Sequence, residues 1–313
     1  MISLGDIQAA AARIAPYVRR TPMIDVKAVS EPVTGARLSL KLENLQATGS
    51  FKARGATNKL LSLPPDAVAN GIVTASGGNH GLAVARAARS AGVAATVYVT
   101  ESSTEEKRQK LRRWGATVEV GGKIWNEANV AALAQAEATG AAYFHPFADP
   151  MVVAGQGTTA LELLEDMPDL DVVLVAIGGG GLISGMAVAL KALKPSVRII
   201  GIEPEGSPTL KASLDAGHVV RLDSVTSKVA TMSCGETDVG VFDLIRDHVD
   251  EVVLVSDAQM EAAAGWLWFE FGIAADLSGA AAIAALRSGA VTLQKGTVAG
   301  GLVCGAGLDG VGL

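Results

Sequence analysis

Apolar positions along the chain alternate between helical spacing and short unbroken runs. The first pattern predicts amphipathic helices and the second predicts strands buried on both faces. A helix begins near Ser3 or Asp6 (IQAAAARIA) and ends near Pro16. The run LSLKLE over 38–43 predicts a strand, followed by Gly49-Ser50-Phe51-Lys52 and a helix over 53–61 with Ser50 as its N-cap. Strands are expected over 71–76 (GIVTAS), 95–99 (ATVYV) and 116–120 (ATVEV), and near AAYFHP. Helices over 79–91, 104–113 and 124–138 separate them. A second series has a helix over 151–166, a strand over 172–177 (VVLVAI), a helix over 182–193 and a strand over 197–203. After a less regular stretch, 205–250, come a strand over 251–255, helices over 257–270 and 279–288, and a strand over 297–304.

Strand–helix alternation implies parallel sheets, and right-handed crossovers make them doubly wound. With 313 residues, two α/β lobes with a cleft between them are expected, with ligands at the carboxyl ends of the strands. The composition agrees: 49% hydrophobic, only 4% aromatic, and 36 glycines that permit close helix–sheet packing. The uncharged stretch from Val172 to Leu190 is long enough to cross a bilayer, but Gly178 to Gly181 interrupt it, so strand, tight loop and helix is the expected reading. The net charge is −6 and the basic runs Tyr17-Val18-Arg19-Arg20 and Lys107-Arg108-Gln109-Lys110 are short, as on solvated helix faces; neither nucleic acid nor a membrane is an expected partner. The N-terminal MISLGDIQAA does not read as a signal peptide, and two cysteines form no disulfide framework, which suits a reducing cytoplasm.

Four motifs carry candidate chemistry. Lys52, in Ser50-Phe51-Lys52-Ala53-Arg54-Gly55, sits at a helix start. The positive end of the helix dipole and desolvation both favour its neutral, nucleophilic amine, though a surface lysine is the plain alternative. Ser76-Gly77-Gly78-Asn79-His80-Gly81 turns a strand into a helix and offers unpaired N–H groups to an anion; a tightly packed βα turn would look the same. Gly178-Gly179-Gly180-Gly181 lies between strand and helix, suits a phosphate, and matches neither a Walker loop nor the dinucleotide fingerprint. Gly305, Gly307 and Gly310 have the dinucleotide spacing but leave no room for its helix. Cys304, after the last strand, is either a small buried residue or a weak hydrogen-bonding sulfur at the cleft. His80, His145, His218 and His248 lack metal-ligand spacing, and no G-x-S-x-G elbow is present.

In this order the motifs resemble the fold-type II pyridoxal 5′-phosphate (PLP) enzymes, specifically the threonine/serine dehydratase and serine racemase group. The resemblance extends through Arg20-Thr21-Pro22, Lys41-Leu42-Glu43-Asn44, Ala154-Gly155-Gln156-Gly157-Thr158, Gly201-Ile202-Glu203-Pro204 and Ser278-Gly279-Ala280-Ala281. It implies an α/β fold of two doubly wound parallel-sheet lobes, tryptophan synthase β-like. The larger, PLP-binding lobe would comprise 1–47 and 148–313, and the smaller 48–147. It further implies a homodimer and a small amino-acid substrate.

By this resemblance Lys52 holds PLP as a Schiff base and acts at the substrate Cα, and Phe51 packs near the ring. Asn79 bonds the ring's 3′ oxygen, Cys304 faces the pyridine nitrogen, and Gly178, Gly179, Gly180, Gly181 and Leu182 cradle the phosphate. Ser76, Gly77, Asn79 and His80 line the substrate carboxylate pocket. The implied activity is β-elimination from threonine or serine to a 2-oxo acid and ammonia, with the PLP phosphate as the proton source for the leaving hydroxyl.

Departures bear on substrate choice. Family racemases carry a serine as second-face base where this chain has Gly77, so efficient racemisation is not expected. Metal-binding relatives place an acid where this chain has Thr209, so no metal is expected. Asp276-Leu277 replaces the usual Glu-Pro, and Glu236 either reaches the site or is a structural acid. The alternatives are hydroxyaspartate or diaminopropionate elimination, amino-acid racemisation and, from another class, a non-catalytic nucleotide- or anion-binding protein.

Overall fold

A computed structural model describes residues 2–123 and 125–312. The chain opens with α1 (Leu4–Ile14), started by a capping box in which the Ser3 hydroxyl and the Asp6 carboxylate satisfy each other's backbone N–H groups. Then follow β1 (Met23–Asp25), β2 (Arg37–Lys41), α2 (Lys52–Ser62), β3 (Ile72–Ala75), α3 (Asn79–Ala91), β4 (Ala95–Val99), α4 (Glu105–Arg113), β5 (Thr117–Val120), α5 (Trp125–Thr139) and β6 (Ala142–Tyr143). The second half contributes α6 (Pro150–Asp166), β7 (Val172–Ala176), α7 (Gly181–Leu193), β8 (Arg198–Pro204), α8 (Thr209–Ala216), α9 (Val239–His248), β9 (Glu251–Val255), α10 (Asp257–Phe271), α11 (Leu277–Arg287) and β10 (Val298–Leu302).

The strands form two sheets, six-stranded in the order β1-β2-β10-β7-β8-β9 and four-stranded in the order β5-β4-β3-β6. Every pairing is parallel except β1 with β2. Central β7 is buried along its whole length, which is why VVLVA reads as an unbroken apolar run. The larger core packs around the six-stranded sheet through residues such as Leu40, Leu174, Ile200 and Leu302, and a separate one lies under the four-stranded sheet around Val84, Val97 and Phe144.

Several local expectations change. Ser50 does not cap α2: its backbone is extended and bridges Gly305, and its hydroxyl finds no partner. Phe51 holds the N-cap position and supplies no side-chain bond. The stretch 205–250 contains α8 and α9, and the run Tyr17 to Arg20 follows α1 instead of lying on a helix. Ile124, the expected first residue of the helix over 124–138, lies outside the described residues; the helix is observed from Trp125.

Two devices fix where α2 starts. It packs on α6 at a glycine pair: a Cβ on Gly155 would meet the Gly55 Cα at 2.7 Å, so the backbones touch there. The fully buried Arg54 then bonds Glu43 through Nε (2.8 Å) and Nη2 (2.7 Å), and Glu162 through Nη1 (2.7 Å) and Nη2 (2.9 Å). Glu162 also pairs with buried Lys41 at 2.8 Å. These two-pronged pairs tie α2, the turn after β2 and α6 into one unit, two residues from Lys52.

Candidate active site

Three helices begin at one cleft without a side-chain cap. They are α2 after Phe51, α3 after Gly78 and α7 after Gly180. A helix start exposes N–H groups and the positive end of a dipole, so the cleft suits anionic groups. At α7 the N–H groups of Gly178 to Ile183 have no hydrogen-bond partner among the described residues. Gly180 adopts φ +93°, which turns β7 sharply into α7. Side chains would close the cradle: a Cβ on Gly179 would run into the Phe147 ring, and one on Gly181 would meet the Phe147 carbonyl at 2.6 Å. From the other side, the Thr237 hydroxyl donates to the Gly179 carbonyl at 3.1 Å.

Lys52 is the first residue of α2, and its Nζ donates to the Pro146 carbonyl at 2.6 Å. Among the described residues its ammonium meets no carboxylate within ion-pair distance. Burial pushes its pKa down to about 8, opposed only by the Cys304 and Cys234 sulfurs. Nζ also lies 5.2 Å from the Phe51 ring centroid. The strap His145-Pro146-Phe147 therefore touches both Lys52 and the glycine cradle, a juxtaposition with no local sequence signal. His145 Nδ1 accepts the N–H groups of Phe147 (3.3 Å) and Ala148 (2.9 Å), and its ring meets Phe147 edge-on with centroids 4.6 Å apart. Burial lowers the His145 pKa to about 4, so the strap is uncharged at neutral pH.

The third wall joins the last strand to α3. Phe51 N–H donates to the Cys304 carbonyl at 3.2 Å, placing Cys304 beside the Lys52 segment. The Cys304 thiol is buried, lies 3.5 Å from the Ser278 hydroxyl and is held protonated by burial. Ser278 donates to Asp276, and Asp276 accepts from Asn79. Asn79 and Cys304 thus belong to one hydrogen-bonded chain, although 225 residues separate them in sequence.

Ser76 and Gly77 are half-buried before α3. A Cβ on Gly77 would press on the Ser103 hydroxyl at 3.2 Å. The His80 ring is 2% exposed, its Nε2 lies 3.2 Å from the Phe144 carbonyl, and burial, with Lys52 nearby, lowers its pKa to about 3. Its ring Nδ1 is buried without a partner among the described residues, and its backbone N–H is also unpaired at the helix start. Glu236 is exposed. Glu203 spends its buried carboxylate on the N–H groups of Leu210 and Lys211, both at 2.8 Å, where α8 begins.

The residues present fit PLP. They offer a phosphate-sized cradle of free N–H groups, a desolvated lysine without an acidic partner, and polar groups on Asn79 and Cys304 across from it.

Comparisons with known proteins agree with this geometry. Residues 14–305 match the family described as pyridoxal-phosphate dependent enzyme. The chain is 42% identical to the L-threonine ammonia-lyase of Thermotoga maritima over 289 residues, 91% of this chain and 71% of that one. Its structure superposes on a T.th. threonine deaminase with a TM-score of 0.90 and 38% identity, covering 97% of this chain and 98% of that one. Maize serine racemase gives a TM-score of 0.93 at 33% identity, covering 97% and 93% of the two chains. With its fold, its cleft and these likenesses taken together, the chain belongs to the pyridoxal-phosphate-dependent enzyme family.

Proposed function

We propose that the protein is a threonine/serine ammonia-lyase, converting L-threonine to 2-oxobutanoate, or L-serine to pyruvate, with release of ammonia. The observation that carries this reading is Lys52: a desolvated amine with no acidic partner, at a cleft where three uncapped helices begin. The names of the relatives, threonine ammonia-lyase and threonine dehydratase, point the same way.

In this reading Lys52, Phe51, Asn79, Cys304 and the N–H groups of Gly178, Gly179, Gly180, Gly181 and Leu182 hold PLP. Bound PLP supplies the electron sink that makes the substrate Cα–H acidic and the Cβ–oxygen bond breakable. Lys52 Nζ, neutral once it gives up the proton that burial destabilises, takes the proton from Cα. The N–H groups of the Gly178–Leu182 cradle would hold the phosphate end in place. Ser76, Gly77 and the N–H groups of Asn79 and His80 receive the substrate carboxylate at the start of α3, where the dipole favours it. Because Gly77 carries no proton-transferring group, Lys52 is the one base at Cα. The proton is returned from one face only, and loss of the β-hydroxyl competes with little racemisation.

The smaller lobe in this reading is 48–147 and the larger 1–47 with 148–313. Two free thiols suit a cytoplasmic location. A homodimer is part of the same reading: Phe269 and Leu308 are 73% and 74% exposed, on α10 and on the tail that packs against it. No described helix is long and apolar enough to cross a membrane.

An amino-acid panel tests the reading. Threonine or serine should give equimolar 2-oxo acid and ammonia, with the residual substrate remaining optically pure. Racemised substrate accumulating faster than oxo acid overturns it.

The depressed Lys52 pKa gives a separate expectation. Capture of PLP by the cofactor-free protein should rise roughly tenfold from pH 7 to 9 and then level off, because a group with a pKa near 8 is almost fully neutral there. An ordinary lysine would show capture still climbing at pH 10. Stopped-flow absorbance follows it.

A further inference from the structure

Asp276 sits where the two sides of the cleft meet. It caps α11 behind the six-stranded sheet, while Asn79 opens α3 beside the four-stranded one. The residue is 8% exposed, and its carboxylate oxygens have separate partners. Oδ1 accepts the Gly279 N–H at 2.7 Å and the Ser278 hydroxyl at 2.6 Å. Oδ2 accepts Asn79 Nδ2 at 3.0 Å. Gly305 lets the backbone of the last loop lie directly on this pair, since a Cβ there would come within 3.0 Å of Asn79 Nδ2 and closer still to Oδ2.

We propose that Asp276 is a positioning residue for the reaction, locking the Asn79 amide so that its N–H group, and not its carbonyl oxygen, is the end held at the cofactor ring's oxygen. The proposal rests on the reading of Asn79 as a ring-oxygen ligand. An ionised carboxylate only accepts hydrogen bonds, so Oδ2 can be satisfied only by the amide nitrogen. One amide proton is then committed to Asp276, and the second remains on the same nitrogen for an anionic oxygen in the cleft. With the amide reversed, two oxygens would face each other at Asp276, and a lone pair would face the ring oxygen. The other branch has the same polarity. Ser278 gives its proton to Oδ1, which leaves its oxygen free to accept the Cys304 thiol proton. The other ionisable groups bearing on Asp276 are Asp309, whose carboxylate caps the Leu277 N–H at 3.1 Å, and the protonated Cys304 thiol; burial, with a smaller push from Asp309, raises the Asp276 pKa, while its three donors lower it.

The substitution Asp276→Asn separates orientation from charge. Asparagine is as good an N-cap as aspartate, and capping Gly279 N–H requires the introduced amide to place its oxygen there. Its NH2 group then replaces Oδ2, so Asn79 must reverse to present oxygen to it. The ring oxygen thereby loses its donor. PLP affinity should fall about tenfold, and the pH midpoint of the bound cofactor's absorption change should rise by roughly one unit. If Asp276 acts only through its negative charge, removing that charge favours the ring anion, and both effects take the opposite sign.

The experiment is equilibrium titration of the full-length protein with PLP, wild type against Asp276→Asn, read by absorbance across pH, with circular dichroism as the check on folding. Weaker binding with an upward-shifted midpoint supports the proposal; unchanged or tighter binding, or a downward shift, overturns it. Should the asparagine variant fail to fold, Asp276→Ser retains a capping oxygen for the Gly279 N–H while removing the oxygen that holds the Asn79 amide, and the same directions are expected. Failure of the wild type to bind PLP at all is a distinct result, which removes the reading of the site and this proposal with it.

Discussion

Replacing Lys52 with alanine should lower kcat/KM for threonine by at least ~10³-fold while leaving the fold intact. The amine is the group at the cleft able to act at the substrate Cα, and general-base contributions alone reach about 10²–10⁴-fold. Neighbouring groups do not substitute for it. His80 and His145 each have one ring nitrogen bonded to the backbone and are weak bases, their pKa lowered by burial to about 3 and about 4, and burial holds Cys304 protonated. Stability should not suffer, because Lys52 makes a single hydrogen bond, to Pro146, and removing a desolvated ammonium relieves a cost of folding. Arginine at 52 should be equally inactive, since a guanidinium remains charged throughout the working pH range. Coupled assay of 2-oxobutanoate, beside thermal melting, checks both halves. Activity within tenfold of wild type in the alanine variant would remove Lys52 from the mechanism.

The second large effect falls on stability. Arg54→Leu should destabilise the protein by about 3–5 kcal/mol, the usual cost of leaving the partner of a buried ion pair uncompensated. Glu43 is fully buried and would keep only the Thr21 hydroxyl, at 2.5 Å, as a side-chain donor. Glu162 would fare better, because Lys41 remains beside it. Arg54→Lys should recover only part of the loss, since an ammonium cannot reproduce two bidentate pairs. The damage should reach activity as well: Arg54 fixes the first turn of α2, and Lys52 is carried on that turn. Urea unfolding of the PLP-free protein measures the first effect, and kcat of the loaded variant the second. Destabilisation below about 1 kcal/mol would mean that the network relaxes or admits water, and that it does not anchor α2.

The contrast between these two residues explains what the sequence disclosed. Lys52 and Gly178 to Gly181 stand out locally, because a lysine at a helix start and a glycine run between strand and helix are short-range patterns. The long strands of both sheets were legible for the same reason: VVLVA is an unbroken apolar run and ATVYV a short β-branched and aromatic run whose buried positions alternate. β1 was not, since a strand of three residues has no periodicity to read, whereas the two-residue β6 falls within the expected AAYFHP segment. The eight-residue α8 was lost in an irregular stretch for a similar reason. Ser50 misled because serine before a helix is a common cap, whereas here it bridges Gly305, Phe51 takes the N-cap position and the serine hydroxyl stays without a partner. Asp276 and the 145–147 strap were beyond reach because their partners are distant in sequence. The Asn79–Asp276 bond spans 197 positions and the Lys52–Pro146 bond 94. Nothing local marks such pairs; they exist only once the two sheets have brought their strand ends to one cleft.

Borohydride reduction of the PLP-loaded protein, followed by peptide mapping, shows directly whether Lys52 is the residue that binds the cofactor covalently. One pyridoxyl group per chain is expected, on the peptide containing Lys52. A stable adduct on another lysine with Lys52 unmodified, or no adduct at all, would contradict it.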